Sequence, residues 1–351
     1  LGGFFLTLNR LRNLPCHGTR ISVVSGKEGA FVPAHNKIET RLILDVVRVT
    51  EAAAIAASKL VGMGDEKAAD AAAVEAMRAA FNHLDIDGTV VIGEGERDEA
   101  PMLFIGEKVG SGKGPKIDIA LDPLEGTTIT SKGMPNALAV VAFANAGQLL
   151  NAPDTYMEKI AIGDGYPEGI IDLDKKPSEV VKAMADHRGV APSDLRACIL
   201  DRPRHTEIIK DLRSIGCSIK LIGDGDVAGV METAMPGTGV DIYMGVGGAP
   251  EGVLAAAALR CLGGQFQARL VFRNDDEKKR GAKWGISDLN RKYNITDLAA
   301  GDVLFAATGV TDGTLLEGVR KKYPGTVTTR SIVLHSLTRT IRWVKTRHRI
   351  S

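Results

Sequence analysis

The chain has 351 residues, of which 44% are hydrophobic and 25% charged, a globular balance that excludes fibrous, disordered and membrane classes. Lys and Arg number 44 against 43 Asp and Glu, so the net charge of +1 gives no electrostatic case for a nucleic-acid or membrane partner. At ~100 to 200 residues per domain, this length predicts two lobes or one large sandwich.

Residues 1 to 27 contain Arg10, Arg12, Arg20 and Lys27 and no acid, but lack the Ser-rich, amphipathic pattern of a transit peptide. Residues 1–37 are therefore expected to be a disordered extension or a start-site artefact rather than a targeting segment. From Lys37 the pattern becomes regular. A helix is predicted over 38–60, broken at VGMGD, and a second over 65–84 with Asp65 as its N-cap. In the second helix Asp70 falls on the same face as Val74, Met77 and Phe81. An acid on a core-facing stripe is costly unless it is paired or binds a metal.

A turn at DIDG, a strand at TVVI, the acid-rich GEGERDE, a strand IDIAL, the hexapeptide DPLEGT and a strand ALAVVAFA come next. Beyond about residue 165, strands are predicted at RACIL, CSIKLI and VDIYMGV. They alternate with helices at RHTEIIKDLRSIG, DVAGVMETA and PEGVLAAAALRCL. Short, nearly continuous apolar strands between helices describe an α/β chain with a covered sheet. The loop-rich IGDGYPEG puts the boundary between two lobes near Asp164. Cys16, Cys198, Cys217 and Cys261 have neither CxxC pairing nor zinc-type spacing, so free thiols in a reducing compartment are expected. The longest apolar stretch, residues 137–147, falls well short of the ~18 residues of a membrane span, and a soluble protein is expected.

Strand ends repeatedly deliver acids beside glycine. VVIGEGERDE carries Glu94, Glu96, Asp98 and Glu99; IALDPLEGT carries Asp122 and Glu125; LIGDGD carries Asp224 and Asp226; MGVGGAPEG carries Glu251. Turn chemistry accounts for any one of these corners alone, and Glu96 and Glu99 read as solvated. Ligands of open α/β sheets gather at strand carboxyl ends, however. Two unit charges ~4 Å apart at an effective dielectric of ~20 repel by ~4 kcal/mol, so four or five converging acids require cations. All-oxygen ligation is the preference of magnesium or manganese. In DPLEGT, Pro123 fixes the turn, while Gly126 and Thr127 offer amides and a hydroxyl suited to a phosphate. GEGERD lacks the third glycine of a dinucleotide fingerprint, GSGKG lacks the P-loop spacing, and GDGDVAG lacks the glutamate of a calcium loop. His83 and His205 have no nucleophile partner in sequence and are expected at the surface or behind the site.

At these corners the sequence resembles the class II fructose-1,6-bisphosphatases, the bacterial group within the lithium-sensitive, metal-dependent sugar phosphatases. VVIGEGERDEAPMLFIGEKVG, IDIALDPLEGTT, LNAPDTYMEKI, RPRH, GDGDVA and GVGGAPEG follow that family's order and spacing between about Ile38 and His348. The resemblance implies a layered αβαβα sandwich and hydrolysis of the 1-phosphate of fructose 1,6-bisphosphate, in gluconeogenesis or a reductive pentose cycle. It implies Mg2+ or Mn2+ held by Asp70, Glu94, Asp122, Glu125 and Glu251. Substrate positions fall on Glu125, Gly126, Thr127, Tyr156, Arg202, Pro203, Arg204, Asp224, Gly225, Asp226 and Gly248. Asp98 matches a residue implicated in catalysis, which with Thr127 would orient the attacking water. Residues 38–163 then form an N-terminal metal-binding lobe and 164–351 a C-terminal substrate-binding lobe. A cytoplasmic homo-oligomer, dimer or tetramer, is the family expectation.

Two departures from the family pattern concern charge. Glu66 follows Asp65 where a basic residue is common, with Lys67 one place later, and Arg202 stands where Lys is frequent. After Glu317 the chain has no further acid but many Lys and Arg, read as a solvated strand face and tail or an anionic regulator site. Sedoheptulose 1,7-bisphosphate is the rival substrate. A catalytically silent sugar-phosphate sensor is the rival class, and the complete set of five acids argues against it.

Overall fold

A computed structural model describes residues 40–95 and 101–349. In chain order the elements begin with α1 (Ile43–Ala57), α2 (Glu66–Phe81), β1 (Asp87–Ile92), β2 (Lys108–Val109), β3 (Lys116–Glu125), α3 (Thr127–Ser131), β4 (Leu138–Asn145) and β5 (Tyr156–Ile162). There follow α4 (Pro177–Arg188), β6 (Arg196–Leu200), α5 (Thr206–Ser214), β7 (Ser218–Ile222), α6 (Asp226–Glu232), β8 (Ile242–Gly248), α7 (Ala249–Leu262) and β9 (Gln265–Val271). The chain ends with α8 (Asp275–Lys283), β10 (Tyr293–Asn294), α9 (Ile295–Leu298), β11 (Val303–Gly309), β12 (Arg320–Tyr323), β13 (Thr326–His335) and β14 (Thr340–Arg349).

Among the described residues the strands form an eight-stranded sheet, ordered β12-β13-β11-β4-β3-β1-β2 with β14 on the other side of β13, and a six-stranded sheet ordered β10-β9-β5-β8-β6-β7. The alternation of side chains along each strand sorts them into layers. In β4, Ala139, Val141 and Phe143 pack with Val46, Val49, Met77 and Phe81 of α1 and α2, whereas Val140, Ala142 and Ala144 face the other way. That second face meets α6 and α7, which also cover Met157, Ala161 and Leu270 of the second sheet. The outer face of the second sheet, including Ile160, Ile162 and Ile199, is closed by Val180, Val181 and Met184 of α4 and Leu212 of α5. The order is helices, sheet, helices, sheet, helices: the αβαβα sandwich. The middle layer explains the composition of α7. A helix held between two sheets is apolar all round, and Ala255–Ala258 keep it slim, each at most 1% exposed.

The helix expected over 38–60 is regular over Ile43–Ala57, behind a 3₁₀ turn at Thr40–Leu42. Asp65 caps α2 as expected, accepting the amide of Ala68 at 2.9 Å. The strand expected to end at Leu121 instead runs to Glu125. A division of the chain at residue 164 does not match the division between sheets. The second sheet spans β5 to β10, and the chain then returns to the first sheet, where β11 inserts between β4 and β13. Burial of the apolar VLFAATG of β11 on both faces drives that return, all seven residues being buried. Cys198, Cys217 and Cys261 are buried free thiols, and Cys16 lies outside the described residues. No helix among the described residues is long and apolar enough to cross a membrane.

Candidate active site

The first sheet owes its acidic edge to one parallel pair. β1 and β3 run side by side with Ile92 opposite Ala120, so Glu94 and Asp122, each two residues further on, leave neighbouring strand ends together. Along β3, Asp122 pairs with Val140 and Glu125 with Leu138, three residues against two. The extra residue is a bulge, a device that re-aims side chains at the end of a pairing. Asp122 accepts the amide of Leu124 at 2.9 Å, which fixes the turn that its proline begins. Gly126 follows at φ 95°, a left-handed conformation that an L side chain resists, and a Cβ there would stand 2.7 Å from the Ile129 side chain. Across this edge, α2 presents Asp70, α7 presents Glu251 from its first turn, and the loop before α6 presents Asp224. The result is one cavity of about 320 Å³ lined by Asp70, Glu94, Asp122, Glu125 and Glu251, with Gly126, Thr127, Asp154 and Asp224.

The charges in this cavity are mutually unfavourable. Burial, then Asp70 and Glu251, push the Glu94 carboxyl up to about 8. Burial, then Asp226, push Glu251 up to about 7 against the pull of Lys159. Asp122 is raised well above its ordinary value by burial and by Glu94, Glu251 and Asp70. Glu125 is raised likewise by burial and by Asp226, Asp122, Glu251 and Asp224. Burial also raises Asp70. The Oε2 atom of Glu251 is buried without a hydrogen-bond partner, and a Cβ on Gly248 would stand 1.8 Å from it. A buried oxygen left unpaired in an acidic pocket is a position that a bound cation could satisfy. All-carboxylate donors fit Mg2+ or Mn2+. Among the described residues no three acids, histidines or cysteines stand at the spacing of a ready-made cage.

The other expected positions divide. Asp224 lines the cavity, and its carboxyl is raised by burial. Gly225, at φ 86°, turns the chain into α6. Tyr156 is half-buried between two guanidinium groups, Arg204 at 4.9 Å and Arg273 at 4.6 Å from its ring centre. Arg204 also grips the carbonyl of Val246 at 2.9 and 2.7 Å, and Arg202 bonds the carbonyl of Asp201 at 3.0 Å. Pro203 opens the 3₁₀ turn that spaces them. Asp226 departs from expectation: it is 5% exposed and turned into the core, where Lys159 and the Tyr243 hydroxyl engage it. Asp98, with Glu96 and Glu99, lies outside the described residues. His205 is not at the surface. It is fully buried, its Nδ1 bonded to the Leu200 carbonyl at 2.7 Å and its Nε2 accepting the Val246 amide at 2.8 Å. Three residues went unread: Asp154 on the cavity wall, Arg273 over Tyr156, and buried Lys159. Lys159 carried a legible signal, since it alternates with Met157 and Ala161 on a buried face of β5.

Residues 40–348 match the family described as bacterial fructose-1,6-bisphosphatase, glpX-encoded. The chain is 42% identical over 325 residues to the D-fructose 1,6-bisphosphatase class 2/sedoheptulose 1,7-bisphosphatase of Prochlorococcus marinus, covering 89% of this chain and 97% of that protein. It is 44% identical over 320 residues to fructose-1,6-bisphosphatase 1 class 2 of Escherichia coli, covering 88% and 95%. Among solved structures, the extragenic suppressor protein suhB of Bartonella henselae superposes with a TM-score of 0.31 at 12% identity, over 55% of this chain and 73% of that one.

Proposed function

The chain belongs to the bacterial glpX-encoded fructose-1,6-bisphosphatase family, and from that membership we propose that it is the hydrolase that converts fructose 1,6-bisphosphate to fructose 6-phosphate and phosphate. The observation that carries the reading is the convergence of Asp70, Glu94, Asp122, Glu125 and Glu251 on one cavity, with an unpartnered carboxylate oxygen among them. These five acids would hold Mg2+ or Mn2+, which when bound neutralises the scissile phosphate, acidifies the attacking water and stabilises the departing oxygen. Thr127 and the turn at Gly126 receive the 1-phosphate, and the Thr127 hydroxyl orients the water. Asp98 is assigned the proton of that water. Asp224 receives sugar hydroxyls. Arg202 and Arg204 hold the 6-phosphate through charge-assisted hydrogen bonds, against the ring of Tyr156. The setting proposed is a cytoplasmic homo-oligomer, dimer or tetramer, engaged in gluconeogenesis or a reductive pentose cycle.

Phosphate release from fructose 1,6-bisphosphate and from sedoheptulose 1,7-bisphosphate, with Mg2+ or Mn2+ and then with chelator, tests the reading. Release is expected with either metal and none after chelation; release indifferent to chelator overturns the metal mechanism. The sedoheptulose arm matters because the Prochlorococcus relative bears both names. A second test addresses the distal phosphate. A hydrogen bond to a charged group contributes about 1.5–3 kcal/mol, so Arg204→Ala is expected to lower kcat/KM for the bisphosphate roughly 10- to 150-fold. Fructose 1-phosphate, which lacks the distal group, is expected to feel the change less than about threefold by the same reasoning. Equal losses on both sugars would remove Arg204 from that role.

A further inference from the structure

Lys159 lies on the inward face of β5 with its side chain 1% exposed, and burial of an ammonium costs several kcal/mol unless it is well paired. It has two partners: the carboxylate of Asp226, whose side chain is 6% exposed, and the carbonyl of Gly248 at 2.9 Å. Asp226 is the first residue of α6, and Gly248 immediately precedes α7. The same two helix starts govern the acidic cavity. The amide of Val227, next after Asp226, donates to Glu125 Oε1 at 3.0 Å. Glu251 stands three residues after Gly248, in the first turn of α7.

The space around the ammonium is closely fitted. A Cβ on Gly247 would lie 2.2 Å from the Asp226 carboxylate and 3.0 Å from Lys159 Nζ. A Cβ on Gly252 would lie 2.3 Å from Met157 Sδ and 3.4 Å from Lys159 Cδ. Glycines thus clear a slot for one lysine, in one position.

We propose that Lys159 is a positioning residue: by bonding Asp226 and the Gly248 carbonyl at once, it clamps the starts of α6 and α7 together and so sets the separation of Glu125 from Glu251. The proposal rests on the divalent-cation reading of the cavity. It assigns Asp226 to the clamp rather than to the sugar, and it gives Lys159 a geometric role distinct from that of a simple counter-charge.

The clamp and the counter-charge are separated by variants. Lys159→Met leaves the buried Asp226 carboxylate without its counter-charge, with only the Tyr243 hydroxyl beside it, which destabilises the protein whatever the role of the lysine. The double variant Lys159→Met/Asp226→Asn removes both charges, so its stability recovers, but the bond to the Gly248 carbonyl stays broken. Mn2+ is titrated into each protein in the presence of inorganic phosphate, and binding is read from the loss of the free-ion electron paramagnetic resonance signal. Loss of a group that orients ligands costs about 10- to 100-fold in metal affinity, and the double variant is expected to fall in that range. Its kcat falls in parallel, while its KM for fructose 1,6-bisphosphate moves less than about threefold, because the distal phosphate contacts are untouched. Wild-type Mn2+ affinity in the double variant overturns the clamp while leaving the cation site standing. Absence of Mn2+ binding by the wild-type protein overturns the cation reading and the clamp with it.

Discussion

Asp122→Asn is expected to lower kcat by about three orders of magnitude and, in chelator, to raise the unfolding temperature. Both effects have one origin. Asp122 sits among Glu94, Glu251 and Asp70, which together with burial hold its carboxyl far above the ordinary range. A unit charge ~4 Å from a cation at an effective dielectric of ~20 is worth about 4 kcal/mol, or about 10³ in rate if that attraction is realised in the transition state. Without a cation the same charge only repels its neighbours, so its removal relieves the chelated protein. Asparagine is chosen because its side-chain oxygen can still accept the Leu124 amide that holds the turn. Steady-state phosphate release and thermal unfolding in chelator measure the two effects. A variant that turned over at the wild-type rate would take Asp122 out of the mechanism. One that lost stability in chelator would make the residue a structural one.

The parts of this site legible in the sequence were those marked by a local conflict. Asp70 contradicts the apolar stripe of its own helix, and DPLEGT places two acids where an apolar strand ends. Both conflicts resolve at one cavity. Lys159 contradicts the alternation of β5 in the same way and was equally readable. What could not be read depends on partners distant in sequence. Nothing within VLFAATG states that β11 will insert between β4 and β13, because pairing of that kind is decided by which apolar faces remain open. The bulge between Asp122 and Glu125 is likewise a property of the pairing with β4 and not of β3 alone. In sequence Asp226 looks like a twin of Asp224, two residues earlier in the same GDGD stretch. In the fold the lysine on β5 and the Tyr243 hydroxyl meet Asp226 in the core, while Asp224 lines the cavity.

The metal-free protein is expected to lose stability as pH rises from about 5 to about 8.5, with Mn2+ abolishing most of the loss. The sign follows from Glu94, whose carboxyl lies at about 8 in the folded protein against an ordinary 4.5. Between those values the folded chain keeps a proton that the unfolded chain has released. The folded state therefore binds more protons, and unfolding free energy falls with rising pH across the window. Below 4.5 both states are protonated and the effect vanishes. Glu251, lifted to about 7, adds to the same slope over the lower part of the window. With solvent reaching part of the cavity, the summed loss is on the order of a few kcal/mol, a drop of roughly 5 °C in unfolding temperature. Cations bind the ionised carboxylates and compete with those protons, so stabilisation by Mn2+ grows over the same pH range and offsets the loss. Thermal unfolding at a series of pH values, with chelator and with Mn2+, gives both curves. A chelated protein that became more stable from pH 5 to 8.5 would mean that the acids are not held close together, and the cavity would then have no physical need of a divalent cation.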